Sequence, residues 1–108
     1  MDTTVTELDG ALLARLEATD RVFEVRFDAL EVTDVTLRFR HDGDRVGSIY
    51  NDDGTDRTMA RLTVPGDSDF IAVEVPTSFV AAIVDAATRT DRVATPERLA
   101  GYRLRVLD

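Results

Sequence analysis

The stretch from Asp69 to Arg89 constrains the fold most, because it reads as a strand, a stop and a helix in immediate succession. Phe70, Ile71, Val73 and Val75 are interrupted only by Ala72 and Glu74, which predicts a strand with both faces at least partly covered. Pro76 ends it, since proline lacks the N–H a ladder needs, and Thr77 or Ser78 then offers a side-chain oxygen to the open amides of a helix. Over 77–89, Phe79, Val80, Ile83, Val84 and Ala87 fall on one broad stripe, with Ala81, Asp85 and Thr88 opposite. Such a stripe can bind a partner, but its commoner fate is to lie against a sheet. Burying the four large members contributes roughly 1.5–3 kcal/mol each, an upper bound because an unfolded chain already hides some surface.

Upstream, the apolar period is two. Phe23, Val25 and Phe27 alternate with Glu24 and Arg26, and Val35, Leu37 and Phe39 alternate with Thr36, Arg38 and Arg40, which predicts two strands with a turn over Asp28 to Thr33. His41-Asp42-Gly43-Asp44 is a tight-hairpin signal, since Asp-Gly accepts the positive φ angles such a turn requires. A weaker strand follows over Arg45 to Tyr50, a turn over Asn51 to Gly54, and a strand carrying Ala60, Leu62 and Val64 up to the Val64-Pro65-Gly66-Asp67 turn. At the amino end, Met1 to Val5 is expected to fray. Residues 6–18 read as a helix, from the capping-box spacing of Thr6-Glu7-Leu8-Asp9 and the recurrence of Leu8, Leu12 and Leu16; an extended Ala11–Glu17 forming a hairpin is the alternative. After a loop over 90–94 come a short helical turn at Thr95 to Arg98 and a last, edge strand carrying Tyr102, Leu104 and Val106. The fold expected is α+β in a single domain over 1–108: an antiparallel meander of about five to six strands with the 77–89 helix on one face. A small half-closed β-barrel with a capping helix is the alternative.

Charge type bears on function. All thirteen basic residues are arginine, aspartate far outnumbers glutamate, and the net charge is −8 over 108 residues. Codon bias can exchange lysine for arginine, but it does not raise aspartate as well. A surface of this kind is expected in a salt-rich cytosol, where screening shortens to about 3 Å at 1 M salt and dense carboxylates keep a protein hydrated. With no cysteine, disulfides and thiolate chemistry are excluded. No apolar run is long enough to span a membrane and no leader is recognisable, so a cytoplasmic location is expected.

Enzyme signatures are absent. His41 is the sole histidine and flanks a turn, without a motif that would join it to Ser48, Ser68 or Ser78. The acidic run around Gly54 fails as a calcium loop, because glycine at loop position six places Ile49 and Ala60 where acidic ligands belong. No phosphate-loop glycine pattern occurs, and no metal or cofactor is expected. What remains is a set of arginines in the phase opposite to the core: Arg26, Arg38, Arg40, Arg61, Arg103 and Arg105. The bland expectation is cross-strand pairing with Glu24, Glu31 and Glu74. The functional one is a docking face, since guanidinium forks hold carboxylate or phosphate bidentately. The sequence thus points to a non-catalytic interaction or adaptor module, docking a protein partner or a second copy of itself through these arginines or an open edge strand. An RNA-binding accessory role using the same face is the alternative. Molar salt weakens counterion release, so RNA binding would need stacking, and the aromatics lie mostly in core phase apart from Tyr50 and Tyr102.

Overall fold

The computed structural model describes residues 2–33, 36–51, 57–65 and 69–94. It is dominated by sheet, with a single helix among the described residues.

The chain opens with a hairpin where a helix was expected. β1 (Asp2–Leu8) and β2 (Ala11–Glu17) pair antiparallel from Asp2–Glu17 to Leu8–Ala11, around a two-residue turn in which Gly10 has φ 79°. Leu12, Ala14 and Leu16 are buried in strand phase. A spacing of four returns to the same side of a strand as well as of a helix, so the leucines alone could not separate the two. The positive φ at Gly10 decides it, because the chain reverses there. Asp2 to Val5, expected to fray, are paired with Glu17 to Ala14.

β3 (Val22–Phe27) buries Phe23, Val25 and Phe27 against the core, as the alternation predicts. The turn expected over Asp28 to Thr33 is instead a short strand, β4 (Ala29–Val32), pairing with β5 (Thr36–His41). Asp28 is the only residue between β3 and β4, and its N–H reaches the Arg40 carbonyl at 2.8 Å, so the two strands form one bent segment. β5 and β6 (Asp44–Asn51) make the expected hairpin, with Asp42 at φ 52° and Gly43 at φ 86°. β7 (Thr58–Thr63) pairs with β6 on one side and with β8 (Phe70–Glu74) on the other.

Consecutive antiparallel pairing runs from β4 to β8, but among the described residues it is one part of a nine-stranded sheet rather than the whole architecture expected. The order is β1-β2-β3-β7-β6-β5-β4-β9, with β8 attached to β7. The β4-to-β7 ladder starts on the bent segment, and β7 returns to it through Glu24–Thr63, where the Thr63 hydroxyl donates to the Glu24 carbonyl at 2.9 Å. A sheet whose two ends meet the same kinked strand must curl, giving a half-barrel. The rings of Phe27 and Phe39 meet inside it with centroids 4.8 Å apart.

The helix α1 (Thr77–Arg89) lies where the stripe predicts, burying Phe79, Val80, Ile83, Ala86 and Ala87 against β1, β2, β4 and β9 (Val93–Ala94). Its N-cap is Pro76 rather than a threonine or serine side chain, and the Phe79 N–H donates to the Pro76 carbonyl at 3.1 Å. Past the helix, the chain expected as a loop adds the two-residue β9 parallel to β4. Arg92 fastens this return to the kink, its Nη1 donating to the Asp28 carbonyl at 3.1 Å and its carbonyl accepting from the Leu30 N–H at 2.8 Å. β8 differs from expectation too: Ile71 and Val73 face the core, while Phe70, Ala72 and Glu74 face out, so only one side of the strand is covered. The helical turn and last strand expected beyond residue 94 lie outside the described residues.

Candidate functional site: an arginine-lined trough on the outer face

The ladder registers dictate which outward side chains become neighbours. One row crosses five strands: Glu31 on β4, Arg38 on β5, Ser48 on β6, Arg61 on β7 and Ala72 on β8. Directly opposed residues stand about 5 Å apart, so Arg38 and Arg61 flank the Ser48 hydroxyl from both sides. The adjacent row holds Thr36, Tyr50, Met59 and Glu74. Arg61 leans diagonally onto Tyr50, with its guanidinium carbon 5.6 Å from the ring centroid.

A bulge brings in a cation that alternation alone does not place. Phe39 pairs with Gly47, but Arg40 pairs with Arg45, leaving Val46 as the extra residue. Counted back from Gly47 in strict alternation, Arg45 would share the core phase; the bulge turns it outward beside Arg40. Gly47 itself is buried, and a Cβ there would stand 2.7 Å from the Arg61 carbonyl oxygen, 3.3 Å from Phe39 Cδ2 and 3.5 Å from Val25 Cγ2. Only glycine lets β6 approach the β7 backbone so closely.

Three hollows open along this surface, and Arg45 borders each of them. The largest, about 480 Å³, is walled by Thr36, Arg38, Arg45, Ser48, Tyr50 and Arg61. A cleft of about 170 Å³ runs over Gly47 between Arg45, Ser48, Arg61 and Phe70. It leads to a more apolar hollow of about 330 Å³ formed by Val25, Arg26, Arg45, Val46, Thr63 and Phe70, with Glu24 and His41 at its walls. Because they share walls, the hollows make one trough from Arg26 to Tyr50.

The cross-strand pairing expected of the arginines is met only in part. Glu31 takes both Arg38 (Nη1–Oε1 3.4 Å) and Arg40 (Nη2–Oε2 3.5 Å), so one carboxylate serves two guanidiniums. Arg26, Arg45 and Arg61 have no carboxylate within 4.0 Å among the described residues. In a chain of net charge −8 this leaves a locally cationic strip. Of the arginines singled out by phase, Arg26, Arg38 and Arg61 line the trough, Arg40 is held at its rim by Glu31, and Arg103 and Arg105 lie outside the described residues, as does Tyr102.

Sequence reasoning missed two members. Arg45 needed the bulge, whose one available sign was the glycine at 47 in an otherwise ordinary strand. Phe70 was assigned to a doubly covered strand, yet half of its surface is exposed, at 50%. Its phase was the available signal, since it is out of step with Ile71, Val73 and Val75. His41, which flanks the Asp42-Gly43 turn, is half-buried, with Nδ1 3.7 Å from Asp28 Oδ2 and Nε2 3.7 Å from Asp42 Oδ2. The Asp42 N–H donates to the same Asp28 carboxylate at 2.9 Å, which ties the hairpin to the kink. Among the described residues no three histidine or carboxylate side chains gather as a metal-ion site, and no helix is long and apolar enough to cross a membrane. Compared with known family models, curated proteins and solved structures, the chain matches none.

Proposed function

We propose that this domain is a non-catalytic interaction module of a salt-rich cytosol, docking an anionic segment of a macromolecular partner along the trough from Arg26 to Tyr50. The observation that carries the reading is the absence of a carboxylate beside Arg26, Arg45 and Arg61 among the described residues of so acidic a chain. Arg38 and Arg40 have Glu31 beside them, whereas Arg26, Arg45 and Arg61 border the trough with neither a carboxylate partner nor a backbone carbonyl to fasten among the described residues. Guanidiniums left open across neighbouring strands suit bidentate capture of carboxylate or phosphate groups. The test is fluorescence anisotropy of labelled hexaglutamate and hexauridylate at molar salt. At least one should bind saturably, and binding should vanish in Arg45→Glu/Arg61→Glu while unfolding stays cooperative. No binding of either probe, or equal binding by that variant, would sink the reading.

Self-association is a second reading, favoured by β8, which has no neighbour besides β7 among the described residues. Light scattering in high salt tests it, a monomer mass across the accessible concentration range being the contrary result.

A further inference from the structure

Resting on the docking reading above, we infer that the trough takes a short single strand of RNA, with one base on Phe70, another on Tyr50 and the Arg61 guanidinium between them. The registers supply the juxtaposition. On β7, Thr63 is opposite Phe70 of β8, and Met59 is opposite Tyr50 of β6. Arg61 lies midway between Thr63 and Met59, and its own partner on the β8 side is Ala72, whose small side chain leaves the path open. Four residues along a strand at about 3.3 Å each, with two strand spacings of about 4.8 Å across, separate the two aromatics by roughly 16 Å. The platform is therefore a diagonal of aromatic ring, guanidinium and aromatic ring, and the cleft over Gly47 connects its parts.

Each part has a role in holding a single strand. A half-exposed phenylalanine at a sheet surface offers a π-face that every base can use, and stacking survives salt that erases ionic attraction. The Arg61 guanidinium carbon lies 5.6 Å from the Tyr50 ring centroid, so a base entering beside them meets an aromatic ring and a guanidinium together. Arg26 and Arg45, exposed and without carboxylate partners among the described residues, border the hollow beside Phe70, where the backbone phosphates of a strand stacked on it would pass. On the Tyr50 side, Ser48 and Asn51 line the hollow with a hydroxyl and an amide suited to a ribose 2′-hydroxyl, while the Thr36 hydroxyl beside them is hydrogen-bonded to that of Thr33. An acidic peptide would use the arginines but has no need of the two rings. Duplex RNA keeps its bases stacked on one another and could not present them.

The test compares labelled hexauridylate with hexadeoxyuridylate, hexaglutamate and a duplex RNA of the same length, in wild type and in Phe70→Leu, Tyr50→Leu and, as a control on the helix, Arg89→Gln. Hexauridylate should bind tightest. Phe70→Leu, which keeps an apolar side chain but removes the π-face, should weaken it roughly 5- to 150-fold while leaving melting unchanged. Arg89→Gln should leave binding as it is. Phosphate contacts from Arg26 and Arg45 predict a slope of about −1.4 for log affinity against log salt. Tighter binding of hexaglutamate overturns the RNA assignment but leaves anionic docking standing. Equal binding of the deoxy strand or the duplex, or an unaltered affinity in Phe70→Leu, also overturns it. Binding of no probe removes both readings together.

Discussion

Arg61 and Tyr50 sit on adjacent strands without facing each other, since Tyr50 opposes Met59 and Arg61 opposes Ser48, yet the guanidinium carbon lies 5.6 Å from the tyrosine ring centroid. The diagonal contact holds an exposed arginine over the trough instead of letting it sweep through solvent. Its energy is measurable as a coupling. A double-mutant cycle with Arg61→Met and Tyr50→Leu, read by urea unfolding, should give an interaction of about 0.5–1 kcal/mol, and strictly additive effects would show that the contact holds nothing in place.

Gly47→Ala tests how the half-barrel closes. The added Cβ meets the Arg61 carbonyl oxygen at 2.7 Å, and a ladder carbonyl cannot move without disturbing its own hydrogen bonds. The expected loss is about 1–3 kcal/mol in urea unfolding, accompanied by amide shifts on β6 and β7. Wild-type stability in this variant would mean that the β6 and β7 backbones are not pressed together at that point.

Ile83→Asp tests the seat of the helix. Ile83 is fully buried on the sheet-facing side of α1, within the apolar core cluster. A carboxylate placed there is desolvated without compensation, at a cost comparable to the whole stability of a small domain. Cooperative thermal unfolding should be abolished, whereas a melt close to that of the wild type would place the helix at the periphery.

Salt should hold the domain together. The net charge is −8, and the screening length grows from about 3 Å at 1 M to about 30 Å at 0.01 M. Dialysis into dilute buffer should lower the melting temperature and weaken the near-ultraviolet dichroism, because repulsion among carboxylates then reaches across the molecule. Indifference of both signals to salt would remove the high-salt reading of the surface.

The parts legible in the sequence were those where a single period left one solution. Phe23, Val25 and Phe27 could be only a strand with one wet face, Asp42-Gly43 only a tight turn, and Phe79 to Ala87 only a helix stripe. Leu8, Leu12 and Leu16 fit helix and strand equally, and the deciding feature was one backbone angle at Gly10. Asp28 reads as a turn residue but produces a kink, because the chain bends there without reversing and pairs onward as β4. The trough was half legible. Phase alone puts Arg26, Arg38 and Arg61 outside, but Arg45 depends on a bulge, and the exposure of Phe70 depends on β8 having one covered side. Long-range pairing creates both features, and the local signs, Gly47 in a strand and the phase of Phe70, do not by themselves fix it.

The most direct test of the trough is an amide spectrum of the isotopically labelled protein at molar salt, titrated separately with hexauridylate and hexaglutamate. The account predicts saturable shifts, with at least one of the probes, clustered at Arg45, Ser48, Tyr50, Arg61, Thr63 and Phe70. Shifts confined to β1, β2 or α1, or none with either probe, would contradict it.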